Sequence, residues 1–231
     1  HQVSSSSDDL NLKSDFEAFL RDKSRTLNFN EMIPSLMTSK SYIAVNGIEK
    51  HLRYKALCDE ITREAREVYL KSGKKVKIKG ATFWLFIASP GAITPFHFDR
   101  FSNFIFQIRG SKELAVFPNF QDHIIDQKLC EQYCDGKIVH TPWSEDLDQF
   151  AYKYNFKSGD AVHIPFTSGH YVKNGAEDIS ISLSVFFHTD QTKKWSRILR
   201  FNHRLRTRGF LPTDIGENRI LDTVKAQLFP L

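Results

Sequence analysis

The chain has 231 residues, of which 41% are hydrophobic and 13% aromatic, and it carries a net charge of +5. This length and apolar content support one sizeable core, and we expect a single domain over residues 1–231. Three cysteines cannot form a complete disulfide framework, and no run approaches the roughly 18 consecutive apolar residues of a membrane span. We therefore expect a cytoplasmic protein with free thiols, and neither a disulfide-rich secreted module nor a membrane-spanning one.

The N-terminal segment, residues 1–75, is predicted to be helical after a polar start. Residues 1–9 are expected to be unstructured, and the capping-box pattern from Ser14 to Glu17 predicts a short helix directly after them. A second helix is predicted within a charged segment that ends near Gly73, where apolar residues recur at helical spacing. Its apolar stripe consists of Leu57, Ile61, Ala65 and Val68.

From residue 76 to 190 the apolar pattern changes to the two-residue period of strands. In the last of them, isoleucine, leucine and valine alternate with Ser180, Ser182 and Ser184, which is typical of a strand with two different faces. The predicted fold class is mainly β: a double-stranded β-helix (jelly roll, or cupin) with flanking N- and C-terminal helices. Turn signals separate the strands at Pro90-Gly91, Gly110-Ser111, Ser158-Gly159-Asp160 and Asn174-Gly175.

A long excursion over residues 120–154 interrupts the predicted barrel. Excursions of this length are often lids or binding loops, and they are equally often solvated surface loops, so both interpretations stay open. Tyr133 and Trp143 are the residues of this insert that we expect to contribute to a substrate cover.

The basic charge is concentrated in the C-terminal segment, residues 191–231, which holds nine Lys or Arg and three acidic residues. The Arg204-x-Arg206-x-Arg208 pattern favours a solvated helix face, with contact to nucleic acid or an acidic protein as the less favoured alternative. Two amphipathic C-terminal helices are predicted, whose stripes either pack on the barrel or pair with a second chain in a homodimer. The stripes are Trp195, Ile198, Leu199 and Leu205, and then Ile220, Leu221, Val224 and Leu228.

The pattern that carries chemistry is His97-Phe98-Asp99, followed much later by His170. In an extended strand, residues two apart point to the same side, so His97 and Asp99 can reach one ion while the neighbouring phenylalanines pack on the opposite face. Two imidazoles and one carboxylate bind a mononuclear non-haem Fe(II) through one face and leave positions open for chemistry. Two alternatives stay open: His97 and Asp99 hydrogen-bond across a barrel, or His163 competes as a ligand, although a core or pocket-wall role is favoured for His163.

These residues and their surroundings resemble a known family. The run Thr94–Pro118, with Gly159–Phe187, is similar to the JmjC or cupin-like group of Fe(II)- and 2-oxoglutarate-dependent oxygenases. Within that group it is most similar to the asparaginyl hydroxylases that act on hypoxia-inducible factor. The resemblance implies that His97, Asp99 and His170 are the iron ligands and catalytic residues, and that Fe(II), 2-oxoglutarate and O2 are the cofactors.

Four further positions correspond to residues around the cosubstrate in this family. The resemblance implies that Thr94 and Lys112 hold the distal carboxylate of 2-oxoglutarate, and that Asn103 places an amide nearby. Ser184 stands where the similar hydroxylases have an asparagine, and we expect it in the same site. Without the iron motif, Lys112 after Gly110 would be interpreted as a solvated hairpin residue.

By resemblance, the protein is expected to be a dioxygenase that hydroxylates a C–H bond, first of all on a protein or peptide side chain. A small metabolite is the second expectation and an RNA base the third, and demethylation of N-methyl-lysine is the same chemistry on another substrate. The competing class is a non-enzymatic metal-binding cupin, which would show the metal residues but would not require Lys112 and Thr94.

Overall fold

Two antiparallel sheets form the framework of the protein. The computed structural model describes residues 2–5, 36–37 and 41–228. Its strands are β1 Gln2–Ser5, β2 Ser41–Asn46, β3 Lys79–Ala88, β4 Ile93–Phe98, β5 Ser102–Arg109, β6 Ser111–Val116, β7 Tyr152–Lys157, β8 Ala161–Ile164, β9 Gly169–Asn174 and β10 Ser180–His188. The larger sheet has the order β1-β2-β3-β10-β5-β8 and the smaller one the order β4-β9-β6-β7. This is the predicted jelly roll, mainly β with helices beside it.

Four helices accompany the sheets in the described residues, and the first three of them pack on the sheets. They are α1 Leu52–Lys71, α2 Gln127–Cys134, α3 Asp190–Arg206 and α4 Arg219–Leu228, with short 3-10 helices at Ile48–Lys50 and Glu145–Phe150. Within the described part of the chain, no helix is both long enough and apolar enough to cross a bilayer.

The alternation predicted for β10 is confirmed. Ser182 and Ser184 line the space between the sheets, whereas Leu183 and Val185 pack on the other face, against residues of α1. Polar side chains of β10 therefore face the space between the sheets, whereas the core of a globular protein is normally apolar.

The hairpin between β5 and β6 needs its glycine, because Gly110 has a φ of 72° and a Cβ there would lie 2.5 Å from the carbonyl oxygen of Ile179.

The prediction of a helical segment over residues 1–75 is wrong in part. It contains β1, within the segment 1–9 expected to be unstructured, and β2, which extends the larger sheet beyond β3. Ile43 of β2 is opposite Ile87 of β3 and is fully buried, so tertiary pairing decides the structure of this short run. The capping box from Ser14 to Glu17 lies outside the described residues.

Helix α1 forms where it was predicted, and it ends just before Gly73, but its contact face is turned by about one residue. Ala65 is buried as expected, together with Cys58, whereas Leu57 and Val68 are about half exposed. The helix packs on the larger sheet through Cys58 and Ala65, with Ile61 and Tyr69 beside them.

The insert over residues 120–154 packs on the outer face of the smaller sheet. The Trp143 ring contacts the rings of Phe96, Phe117 and Tyr171, and Tyr133 contacts Phe98. Both residues are partly buried and pack against a hydrophobic core cluster on this outer face, and the expectation that they form a substrate cover is wrong. The cause lies in β4, whose phenylalanines face away from the histidine between them and need an apolar cover.

The first C-terminal helix is confirmed, and α3 buries Ile198 and Leu199. At its end, Arg204 and Arg206 make ion pairs within the chain, while Arg204 and Arg208 are exposed, as expected for a solvated helix face. Arg206 contacts Glu131 of α2 at 2.9 Å and Asp214 at 2.6 Å. Arg204 contacts Asp135 at 3.3 Å, so these arginines connect α3 to the insert.

The second C-terminal helix, α4, buries polar residues and exposes its apolar stripe. Asp222 and Lys225 are buried, and the Lys225 Nζ donates to the carbonyl oxygen of Thr213 at 2.6 Å. The stripe does not pack on the barrel, since its four residues are 42% to 77% exposed: Ile220, Leu221, Val224 and Leu228.

Candidate metal centre

Two neighbouring strands bring the three predicted metal ligands together. His97 of β4 and His170 of β9 are directly opposite each other in the antiparallel register. Asp99 follows the end of β4, and its Oδ2 lies 3.6 Å from His170 Nε2. One ligand atom from each of the three residues lies within 4.8 Å of the others, which is a suitable arrangement for holding a single metal ion.

Backbone carbonyls fix the orientation of both imidazoles. The Nδ1 of His97 is 2.7 Å from the carbonyl oxygen of Pro95, and the Nδ1 of His170 is 3.0 Å from that of Ser168. A carbonyl oxygen only accepts hydrogen bonds, so each Nδ1 carries the hydrogen and each Nε2 keeps its lone pair. This is the outer-shell arrangement that metal-binding histidines require, and the residues fit a metal ion.

The loop before β9 is tightly held against the end of β4. The Thr167 amide donates to the carbonyl oxygen of Asp99 at 3.0 Å, and Thr167 has a φ of 57°, which is uncommon for a residue other than glycine. Gly169 allows the close approach of this loop, because a Cβ there would lie 2.7 Å from the Phe96 ring. His97 and His170 are buried, at 8% and 3% exposure.

All seven predicted site residues line one cavity between the sheets. The cavity encloses about 610 Å³ of empty space, part of which is open to solvent. The larger sheet contributes polar side chains from β5 and β10, and the smaller sheet contributes the metal residues and a lysine. The seven residues are Thr94, His97, Asp99, Asn103, Lys112, His170 and Ser184.

Lys112 is a buried cation in the wall of this cavity, not a solvated hairpin residue. It is 7% exposed, and its Nζ donates to the Ser182 hydroxyl at 2.6 Å. Burial lowers the pKa of the ammonium group to about 7. No carboxylate of the described residues forms an ion pair with Lys112, so the cavity suits an anionic ligand.

Sequence reasoning missed several residues of the cavity. Asn174 and Ser182 contribute polar groups, and Phe86 and Phe186 contribute apolar walls. The alternation along β10 already placed Ser182 on the same face as Ser184 and could have revealed it. Asn174 was interpreted only as a turn residue. Its Oδ1 and the Oδ1 of Asn103 are both buried, and neither has a hydrogen-bond partner among the described residues.

His163 is not a competing ligand. It lies on the opposite face of β8 from Ile164, which lines the cavity, and its Nε2 is 2.9 Å from the Tyr69 hydroxyl of α1. Burial lowers the pKa of His163 to about 4, which keeps it neutral. It is a core histidine beneath α1.

Residues 4–193 match the sequence profile of the cupin-like domain. The chain belongs to the cupin-like domain family. A curated relative, JmjC domain-containing protein D of Dictyostelium discoideum, is 22% identical over 179 residues, which cover 69% of this chain and 40% of the relative. The cupin-like chain thus spans less than half the length of that relative.

Solved structures show weaker likenesses to this cupin-like domain. An oxalate oxidase is 14% identical with a TM-score of 0.32, and the match covers 46% of this chain and 41% of that one. An oxalate decarboxylase of Bacillus subtilis is 18% identical with a TM-score of 0.33, and the match covers 63% of this chain and 31% of that one. These likenesses are too weak to bear on the site.

Proposed function

We propose that this cupin-like domain is an Fe(II)- and 2-oxoglutarate-dependent dioxygenase that hydroxylates a C–H bond of a protein or peptide side chain. The observation that carries the proposal is Lys112, a buried lysine without an ion-pair partner among the described residues. It shares its cavity with His97, Asp99 and His170. A site that binds only a metal ion does not need a buried cation beside it, whereas a dicarboxylate cosubstrate needs a cation to bind its second carboxylate.

The metal residues supply a three-point binding face. His97 and His170 would bind Fe(II) through Nε2, and Asp99 would bind it through a carboxylate oxygen, which leaves positions open for ligands. Bound together, Fe(II), 2-oxoglutarate and O2 supply the oxidising power that replaces hydrogen with hydroxyl. The chain's own residues hold these groups, orient them and restrict the access of water.

The far end of the cosubstrate would be held farther along the smaller sheet, on the same wall of the cavity as the metal residues. The Lys112 ammonium supplies charge and hydrogen-bond donors to the distal carboxylate, and Thr94 adds a hydroxyl donor. Asn103 and Ser184 lie in the same cavity and can bind carboxylate or carbonyl oxygens through their own donors.

The aromatic wall of the cavity supports a carbon-rich group as the site of reaction. Phe86 and Phe186 line the cavity, and Trp84 extends this wall, with its ring centroid 6.0 Å from that of Phe86 and 6.1 Å from that of Phe186. Such a wall fits the aliphatic part of a side chain better than it fits a phosphate. The internal ion pairs of Arg204 and Arg206 weaken the case for an RNA substrate.

The test is turnover. The protein is incubated with Fe(II), ascorbate, 2-oxoglutarate and panels of peptides, metabolites and RNAs, while succinate and the mass of one added oxygen atom are followed. We expect a peptide to stimulate succinate formation and to gain oxygen. Lys112→Met should abolish this activity, whereas Lys173→Met, which changes a half-exposed lysine of β9, should not. Bound metal without succinate for any panel member would favour the non-enzymatic cupin.

A further inference from the structure

We infer that Ser182 is a further cosubstrate-positioning residue, whose hydroxyl holds the Lys112 ammonium in place and donates its own hydrogen to the distal carboxylate of 2-oxoglutarate. This inference rests on the proposed function and extends it to a residue of the facing sheet.

Ser182 occupies a rigid place in the fold. It lies in β10, which pairs with β3 on one side and with β5 on the other, and its side chain is fully buried. Lys112 lies in β6 of the smaller sheet. The 2.6 Å hydrogen bond from Lys112 Nζ to Ser182 Oγ therefore connects the two walls of the cavity and limits where the ammonium can move.

The hydroxyl hydrogen of Ser182 is available for donation to a ligand. A serine hydroxyl has one hydrogen and two acceptor lone pairs, and an ammonium group has three hydrogens. Ser182 Oγ accepts one hydrogen from Lys112, and none of the described residues is within hydrogen-bonding geometry to accept the hydrogen of Ser182. A carboxylate placed against both groups would accept from the ammonium and from the hydroxyl, and charge-assisted bonds of this kind are strong.

The serines on either side of Ser182 have different roles. Ser180 points to the same side of β10, but its hydroxyl accepts from Gln107 Nε2 at 3.0 Å, and it does not line the cavity. Like Ser182, it is buried. Ser180→Ala is therefore a matched control that removes a buried hydroxyl from the same strand face without touching Lys112.

The experiment compares two ligands. Binding of 2-oxoglutarate and of pyruvate, which lacks the distal carboxylate, is measured by calorimetry on protein loaded with Mn(II). We expect Ser182→Ala to weaken 2-oxoglutarate binding roughly ten- to hundredfold, as for the loss of a hydrogen bond to a charged group, and to leave pyruvate binding unchanged. Ser180→Ala should change neither. In a Lys112→Met background, Ser182→Ala should have little further effect.

Each other outcome has a defined meaning. Equal 2-oxoglutarate affinity in Ser182→Ala and wild type overturns the role of Ser182 and leaves the proposed function intact. Equal losses for 2-oxoglutarate and pyruvate also overturn it, because they indicate general damage to the site. A wild-type protein that binds Mn(II) but not 2-oxoglutarate overturns the proposed function and this inference together. If Ser182→Ala does not fold, Ser182→Cys, which fills the space of the side chain but has only a weak S–H donor, should show the same selective loss.

Discussion

A lysine that folding removes from water keeps its charge only at a cost, unless an anion compensates for the lost hydration. This cost is visible in Lys112, since burial lowers the pKa of its ammonium group to about 7. Its hydrogen-bond partner, the Ser182 hydroxyl, is neutral and does not compensate for the charge. The binding of a carboxylate would reverse the balance and raise the pKa of the ammonium again. Near neutral pH, the binding of a carboxylate should therefore be accompanied by uptake of a fraction of a proton at Lys112.

The affinity for 2-oxoglutarate should consequently depend on pH through Lys112. In the free protein Lys112 loses its proton as the pH rises through about 7, and the dianion binds to the protonated form. We expect the affinity to fall by roughly tenfold per pH unit between pH 7.5 and about 9.5, with proton uptake on binding in calorimetry. Lys112→Met should bind weakly, with a flat profile. A flat profile in the wild type would contradict this account of the lysine.

At the scale of elements, the metal residues depend on how closely β9 and its loop approach β4. Gly169 precedes His170 and touches the Phe96 ring, which is itself fully buried beneath the insert. The position of one metal ligand is thus set by packing on the far side of the sheet, and a displaced strand would misalign the histidines.

Gly169→Ala should weaken metal binding. The new Cβ would lie 2.7 Å from two atoms of the Phe96 ring, and overpacking of this kind costs roughly 1–3 kcal/mol and shifts the backbone. We expect at least tenfold weaker Fe(II) binding in a metal-competition assay. Gly209→Ala is the control: Gly209 has a φ of 84° and open space around it, so stability should fall while metal affinity stays. Unchanged metal affinity in Gly169→Ala would show that the loop adapts.

The insert is attached to α3 through a buried ion pair. Glu131 is fully buried, and Arg206, which contacts it and Asp214, is one-fifth exposed. Removing one partner leaves a buried carboxylate uncompensated. We expect Arg206→Met to lower the free energy of unfolding by roughly 3 kcal/mol in urea denaturation. Lys55→Met, which breaks a pair whose members are 62% and 68% exposed, should cost less than about 1 kcal/mol, and equal effects would contradict the structural role of Arg206.

The sequence predicts the local geometry of strands well, but it predicts poorly which distant segments pack on their outer faces. His97 and Asp99 follow from the two-residue period of a strand, and the serine alternation of β10 follows from the same rule. The role of Trp143 could not be predicted in this way, because the need to cover the phenylalanines of β4 arises from packing between distant segments. β2 was missed for a similar reason, since a short strand is stabilised mainly by the neighbour with which it pairs.

At the scale of the whole molecule, α4 presents an apolar face to solvent. Ile220 is 77% and Leu228 64% exposed, and the preceding Leu211 is 92% exposed. Exposed apolar patches of this kind mark interaction sites. Two roles were expected for this stripe, and in the described structure it does not pack on the barrel. The other expected role is pairing with a second copy of the chain.

We therefore expect the protein to be a homodimer through α4. Light scattering after gel filtration should give the mass of two chains, and Ile220→Glu combined with Leu228→Glu should give the mass of one. Leu52→Glu, which places the same charge at an 87% exposed position of α1, should leave the dimer intact. A monomeric wild type at micromolar concentration would contradict the expectation without affecting the site.

We propose that one cavity of this cupin-like domain binds both a metal ion and 2-oxoglutarate. The most direct measurement is an anaerobic titration of the Fe(II)-loaded protein with 2-oxoglutarate, in which the visible metal-to-cosubstrate charge-transfer band is followed. We predict a band that saturates at one equivalent, disappears in Asp99→Ala and needs more 2-oxoglutarate in Lys112→Met. Folded protein that binds Fe(II) but develops no band would contradict the claim and indicate a metal-binding cupin without the cosubstrate.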